Sequence, residues 1–169
     1  AWKDVVKAGP SALLPILSAT GKGNVVADNW LRLAANTIAA NAGSGSPVKE
    51  LEIFLRDEKQ SSAARVLAFD LIQQADAKKA DAIEPTLLTD PAQELRRGAV
   101  QRLIDEAKTK ADAKDEAAAK AVYAKAFDAA RDEDQVARVQ ASRPRPRPEG
   151  PSGGAGGGRR RRRRRRREA

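Results

Sequence analysis

The chain contains no histidine, no cysteine and no methionine, and aromatic residues make up 4% of its 169 positions. Without imidazole or thiol there is no histidine base, no thiolate nucleophile, no disulfide framework and no soft-ligand metal site. β-Branched and aromatic residues are sparse, which disfavours strands. No apolar run approaches the roughly 18–20 residues that a membrane-spanning helix requires. No paired-carboxylate or glycine-rich phosphate motif occurs in a suitable context. The expectation is therefore a protein with no catalytic residue, no metal and no cofactor.

What remains is rich in alanine, leucine, lysine, glutamate and arginine, the residues that lose least on entering a helix. Charge divides sharply along the chain. Residues 1–142 hold 20 Lys and Arg against 21 Asp and Glu, whereas residues 143–169 hold 12 Arg and 2 Glu. The net charge of +9 thus belongs to the tail. We read two parts: a helical domain over 1–141 and a Pro/Gly/Arg-rich tail over 142–169.

Within the first part, three segments repeat one pattern. An Arg is followed by an Ala three residues later and by an aliphatic residue at the seventh position or one short of it. The sets are Arg32, Ala35 and Ile38; Arg65, Ala68 and Ile72; and Arg96, Ala99 and Leu103. The arginines lie 33 and then 31 residues apart. A period of that size, with helical spacing inside each unit, marks a stacked array of helix pairs.

Stop and start signals divide the array. A short apolar stretch over 2–8 ends at Gly9-Pro10, and Ser11 is expected to cap a helix reaching Leu17. A longer helix over 25–40 is expected to turn Val26, Trp30, Leu33, Ala34, Thr37 and Ile38 toward the core. A flexible connection over 41–47 leads to an amphipathic helix over 48–57, and Ser61 or Ser62 starts the next. The third pair runs over 80–88 and then from Asp90 as N-cap, with Pro91 in the first helical position, to Ile104. One further Ala-rich helix is expected over 117–130, and a short last one from Asp132 toward Gln140.

These units resemble HEAT repeats. The stretch Asp90-Pro91-Ala92-Gln93-Glu94-Leu95-Arg96-Arg97-Gly98-Ala99-Val100-Gln101-Arg102-Leu103 matches the second-helix pattern of that family, and the units at Arg32 and Arg65 match it more loosely. Ala39 stands where the first unit should carry its aliphatic residue, and the family's Pro-containing turn does not follow 49–57. The likeness covers roughly residues 11–108. It implies an all-α fold, a short right-handed α-solenoid, and a protein-binding scaffold whose partner is another protein. The segment Lys120-Ala121-Val122-Tyr123-Ala124-Lys125-Ala126-Phe127 is similar to the second helix of a tetratricopeptide unit. The whole arrangement also resembles the N-terminal scaffold of larger bacterial HEAT-repeat proteins, often exported, so a truncated scaffold is expected.

Each notable residue carries two readings. Arg32, Arg65 and Arg96, with Ala35, Ala68 and Ala99, are assigned a structural role: the arginine stems lie on apolar surface and their heads bond carboxylates or carbonyls. The other reading is a basic ladder for an acidic partner. Trp30 is placed in the core, and Trp2 fits either core or interface. The acidic residues Asp112, Asp115, Glu116, Asp128, Asp132, Glu133 and Asp134 lack the fixed spacing of a calcium loop and read as a solvated face.

The tail begins with Arg143-Pro144-Arg145-Pro146-Arg147-Pro148, which favours extended polyproline II, and a Gly-rich spacer follows. It ends in Arg159, Arg160, Arg161, Arg162, Arg163, Arg164, Arg165, Arg166 and Arg167. Such a block repels itself and is expected to be disordered. Three readings compete: nonspecific contact with nucleic acid or an anionic surface, a neutral low-complexity end, or the product of a frame-shifted GC-rich gene after Ala141-Ser142. The chain opens at Ala1-Trp2 in place of Met, which reads as a processed product or a fragment. Its compartment stays open between cytoplasm and an exported form whose leader is not in this chain.

Overall fold

The computed structural model of the chain describes residues 2–142, with side chains from Lys3 onward. The Trp2 side chain and the tail over 143–169, with its arginine run at 159–167, lie outside the described residues. Among those described, every regular element is helical. The α-helices are α1 (Trp2–Lys7), α2 (Leu13–Ala19), α3 (Val25–Ala42), α4 (Val48–Arg56), α5 (Ser62–Ala75), α6 (Ala77–Ile83), α7 (Gln93–Asp112), α8 (Glu116–Ala129) and α9 (Glu133–Ser142). Short 3-10 turns join α1 to α2, α3 to α4, and α6 to the stretch before α7.

Polar side chains set four of the helix starts. Asn24 accepts from the Ala27 amide at 3.0 Å, Ser61 from Ala64 at 3.1 Å, Asp76 from Lys79 at 3.0 Å and Asp115 from Ala118 at 3.0 Å. Each bond satisfies an amide that has no partner within its helix. Ser61 is therefore the cap of α5. Ser11 is not a cap: it lies in the 3-10 turn Gly9–Ala12, its hydroxyl donates to the Ala8 carbonyl at 2.9 Å, and α2 begins at Leu13. The expected loop after residue 40 is shorter than the sequence reading had it. Helix α3 continues to Ala42, and a 3-10 turn occupies Gly43–Gly45.

Neighbouring helices pack on one another, but the expected third pair does not form as read: residues 80–88 divide between α6 and the 3-10 turn Glu84–Leu87, and it is this turn that packs on α7. Helix α2 packs on α3, α4 on α5, and α8 on α7, while α3 meets α5 and α5 meets α7. Small residues permit this approach. Ala34, Ala35 and Ala39 of α3, Ala64 and Ala68 of α5, and Ala99 of α7 are all buried. Around them Leu13, Leu17, Ile38, Leu51, Leu55, Leu67, Leu71 and Ile72 form one apolar cluster. A second cluster joins Val100, Ile104, Ala107, Val122, Tyr123, Ala126 and Val139. Helix α7 supplies both, with Leu95 and Ala99 in the first and the residues from Val100 onward in the second.

Where the first pair meets α5, Gly21 is required. Its φ is +79°, and a Cβ there would lie 2.3 Å from the Ser61 hydroxyl oxygen. That hydroxyl donates to the Thr20 carbonyl at 2.8 Å while capping α5, so the glycine turn and the α5 start hold one another.

Ala99 faces the seam between α7 and the first cluster at 3% exposure. Ala99→Asp would place an unpaired charge there, at a cost of about 3–5 kcal/mol. The expected drop in Tm is on the order of 10 °C by calorimetry; an unchanged Tm would contradict this packing.

Candidate interaction surface

Arg65 and Asp90 form the one ion pair among the described residues that is buried on both sides. Arg65 is 3% exposed, in the first turn of α5. Its Nε donates to the Leu55 carbonyl at 2.7 Å, near the end of α4. Its two terminal nitrogens donate to the two Asp90 oxygens at 2.9 and 2.5 Å. Asp90 also accepts from the Ala92 amide at 2.8 Å, and its own carbonyl accepts from Arg96 at 2.9 Å. Asp90 is therefore not the N-cap of α7, as its sequence context suggested. The helix begins at Gln93, because the Asp90 carboxylate is drawn inward to neutralise Arg65. A cleft of about 200 Å³ opens beside the pair, lined by Leu55, Arg56, Glu58, Arg65, Thr86, Leu87, Thr89 and Asp90. Each nitrogen of the guanidinium that borders it already donates one hydrogen bond.

The three repeat arginines thus occupy different settings. Arg65 is sealed, Arg96 reaches a carbonyl from a half-buried position, and Arg32 stands exposed with Asp70 3.9 Å away. Burial raises the Asp70 carboxyl above its ordinary pKa, and the distant Arg32 only partly offsets this. Ala35, Ala68 and Ala99, in contrast, are equivalent: all three are buried between helices.

Further ion pairs link successive elements. Glu52 of α4 receives Lys79 of α6 at 2.6 Å and Arg56 at 2.9 Å, and these hydrogen bonds lower its pKa. Arg102 of α7 bridges Asp81 and Glu84. Arg97 holds Asp134 at 2.6 Å and Asp132 at 3.4 Å, which ties α9 to α7. The Arg97 hydrogen bond pulls the Asp134 carboxyl down to about 2. The acidic run at 132–134 therefore serves α7 in part, beyond the solvated face read from its sequence. Among the described residues no group of three or more acidic side chains is placed to hold a metal ion, and no helix is long and apolar enough to cross a membrane.

The surface feature that stands out is on α3. Val26 is 67% exposed, Trp30 59% and Leu33 49%. Trp30 is not in the core, contrary to its placement from the sequence, and Val26 and Leu33 accompany it outward. The reason is geometric. The buried face of α3 is Ala34, Ala35 and Ala39 with Ile38, and its three alanines allow α2 and α5 to come close; α1 and the Gly9–Ala12 turn also pack on α3. A tryptophan on that face would force them apart. The outward residues Val26, Trp30, Leu33, Thr37 and Ala40 follow spacings of four, three, four and three, the rhythm of a coiled-coil seam. Asn29 and Asn36 flank it on one side and Ala27 on the other, so the strip carries no charge over four turns. Beyond it, Val25 is 74% exposed.

Comparison with protein-family models, with curated protein sequences and with solved structures finds no match to this chain.

Asp90→Ala leaves Arg65 charged and unpaired in the interior, and should cost about 3–5 kcal/mol in urea unfolding. Combining it with Arg65→Met removes the stranded charge. The double variant should be more stable than Asp90→Ala alone; equal or lower stability would mean that the pair is not coupled.

Proposed function

We propose that this chain is a non-enzymatic protein–protein interaction scaffold, built as a short right-handed α-solenoid of HEAT-like helix pairs. Three observations support the solenoid reading: α2 pairs with α3 and α4 with α5, α3, α5 and α7 touch in succession, and the repeat alanines Ala35, Ala68 and Ala99 are buried in one cluster. The observation that carries the functional reading is the uncharged apolar seam on α3. Single exposed apolar residues, such as Ile53, are ordinary on protein surfaces. A charge-free strip with three large side chains at seam spacing is what a partner helix recognises through i, i+4 and i+7 anchors. Several carboxylates of the body, among them Glu52, Asp90, Asp132 and Asp134, lie in ion pairs that link separate elements.

A photo-crosslinking residue placed at Leu33 tests this reading in cells. The expected result is one or a few discrete adducts that disappear when Val26→Asp is added. No adduct, or adducts indifferent to Val26→Asp, would overturn it. Aspartate at the second helical residue favours α3 through the helix dipole, so loss of adducts would not report unfolding.

A second reading rests on the nine consecutive arginines at 159–167. Guanidinium groups in that number neutralise phosphates without base readout, and no aromatic residue is interleaved to stack on bases. Removal of residues 143–169 should abolish retention on DNA at about 0.15 M salt, where phosphate contacts still hold. Helicity and Tm of the body should stay unchanged by circular dichroism.

A further inference from the structure

We propose that α9 is an ionic strap: it lies closed across α7 and α8, and it detaches alone, with the rest of the body folded, when salt screens the contacts of Arg97. The inference stands apart from the α3 surface. Three features of the junction lead to it.

The first is what holds the helix. Val139 is its one buried apolar side chain, and the other buried members of the cluster it enters all belong to α7 and α8. The remaining attachments are polar. Arg97 donates to the two Asp134 oxygens at 2.8 and 2.6 Å and lies 3.4 Å from Asp132. Gln93 donates to Asp132, and Arg138 to Gln101. The Arg97 and Asp134 side chains are 36% and 52% exposed, so their attraction is open to screening. Because the Asp134 carboxyl is held down to about 2, it stays ionised, and salt is what loosens the pair. Added salt does not weaken the apolar contact of Val139.

The second is what the closed position costs. Gln135 is 3% exposed, and its Nε2 donates to the Arg97 carbonyl at 2.9 Å. Its Oε1 is buried without a hydrogen bond, and so is Oδ2 of Asp132, which has Arg97 only at 3.4 Å. These are two of the four such atoms among the described residues. Each has given up water for little return, and each regains it when the helix leaves. Closure is therefore opposed at the same place where charge sustains it.

The third is the hinge. Helix α8 ends at Ala129 and α9 begins at Glu133, with Ala130 extended between them. Rotation about 130–132 lifts α9 from α7 and α8 and leaves those two packed on one another through Val100, Ile104, Val122 and Tyr123. Such a unit opens below the free energy of global unfolding. Opening uncovers the apolar side chains that receive Val139 and frees Arg97 beside them, so ionic conditions decide when this part of the body is presented.

The experiment is thiol labelling of the nuclease-treated full chain. The chain has no native cysteine, so Val139→Cys reports the strap and Leu67→Cys, in the first cluster, reports the body. Both positions are 0% exposed. Val139→Cys should react at least about a hundredfold faster, although Leu67→Cys loses more core volume. Raising sodium chloride from about 0.05 to about 0.5 M should speed Val139→Cys several-fold and leave Leu67→Cys unchanged. Adding Arg97→Gln should speed Val139→Cys about tenfold at low salt and remove most of its salt dependence. Because cysteine trims the Val139 contact, hydrogen exchange of the wild type is the second measurement. Amides over 137–142 should exchange about a hundredfold faster than those of α5, at similar rates along the helix and faster still in salt. Wild-type α9 amides as protected as those of α5 would overturn the proposal. So would labelling indifferent to salt and to Arg97→Gln, or exchange that is indifferent to salt and slows steadily inward from Ser142, the mark of a fraying end.

Discussion

Arg65 reaches from the first turn of α5 to two other stretches of chain: the Leu55 carbonyl near the end of α4 and the carboxylate that precedes α7. A guanidinium taken out of water this completely is tolerated only because its donors meet acceptors and its charge meets an opposite one. That requirement fixes Asp90 and, through Asp90, the Ala92 amide and the Arg96 side chain. The start of α7 is thereby tied to the α4–α5 pair. The break between Leu87 and Gln93, which the sequence marks as a helix start, is instead the place where backbone and side chain turn to serve the ion pair. Replacing such a pair by apolar residues is often neutral or stabilising. Here the pair joins α4, α5 and the stretch before α7 at one point.

Around that node, alanines stand among the leucines and isoleucines at the contacts between helices. Ala34, Ala35, Ala64, Ala68 and Ala99 contribute little area each, so the approach of the backbones and the leucines beside them supply most of the burial. This packing has a consequence for α3. Its inner face must be narrow, and its larger residues are displaced to the outside. The exposed Trp30 and the buried Ala34 and Ala35 are two results of one constraint. The exposure of Val26, Trp30 and Leu33 is a by-product of how tightly α3 is held from behind.

The ends of the body are secured differently. Helix α9 buries Val139 and Gln135 and is otherwise attached to α7 by polar contacts: Arg97 to Asp132 and Asp134, Gln93 to Asp132 at 2.7 Å, and Arg138 to Gln101 at 2.7 Å. Exposed pairs of this kind hold geometry more than they add stability. The last described helix accordingly has a single buried apolar side chain, Val139, and it leads directly into the basic tail.

Much of the fold was legible in the residues. The absence of strand formers, the Arg-to-Ala period near 32 residues and the cap at Ser61 follow from local chemistry, and local chemistry is what sequence records, although the cap at Asp115 was read only as part of a solvated face. The apolar seam was visible as a set of residues but not as a surface. Helix α3 is apolar nearly all round, so periodicity could not tell its inner face from its outer one, and the larger side chains were assigned inward. Only the tertiary structure decided that the alanine face goes inside, because the distance of α2 and α5 from α3 is a property of all three helices. The same holds for the three arginines. Their spacing is equal along the chain, yet only Arg65 meets a carboxylate able to follow it into the interior, and that carboxylate lies 25 residues away.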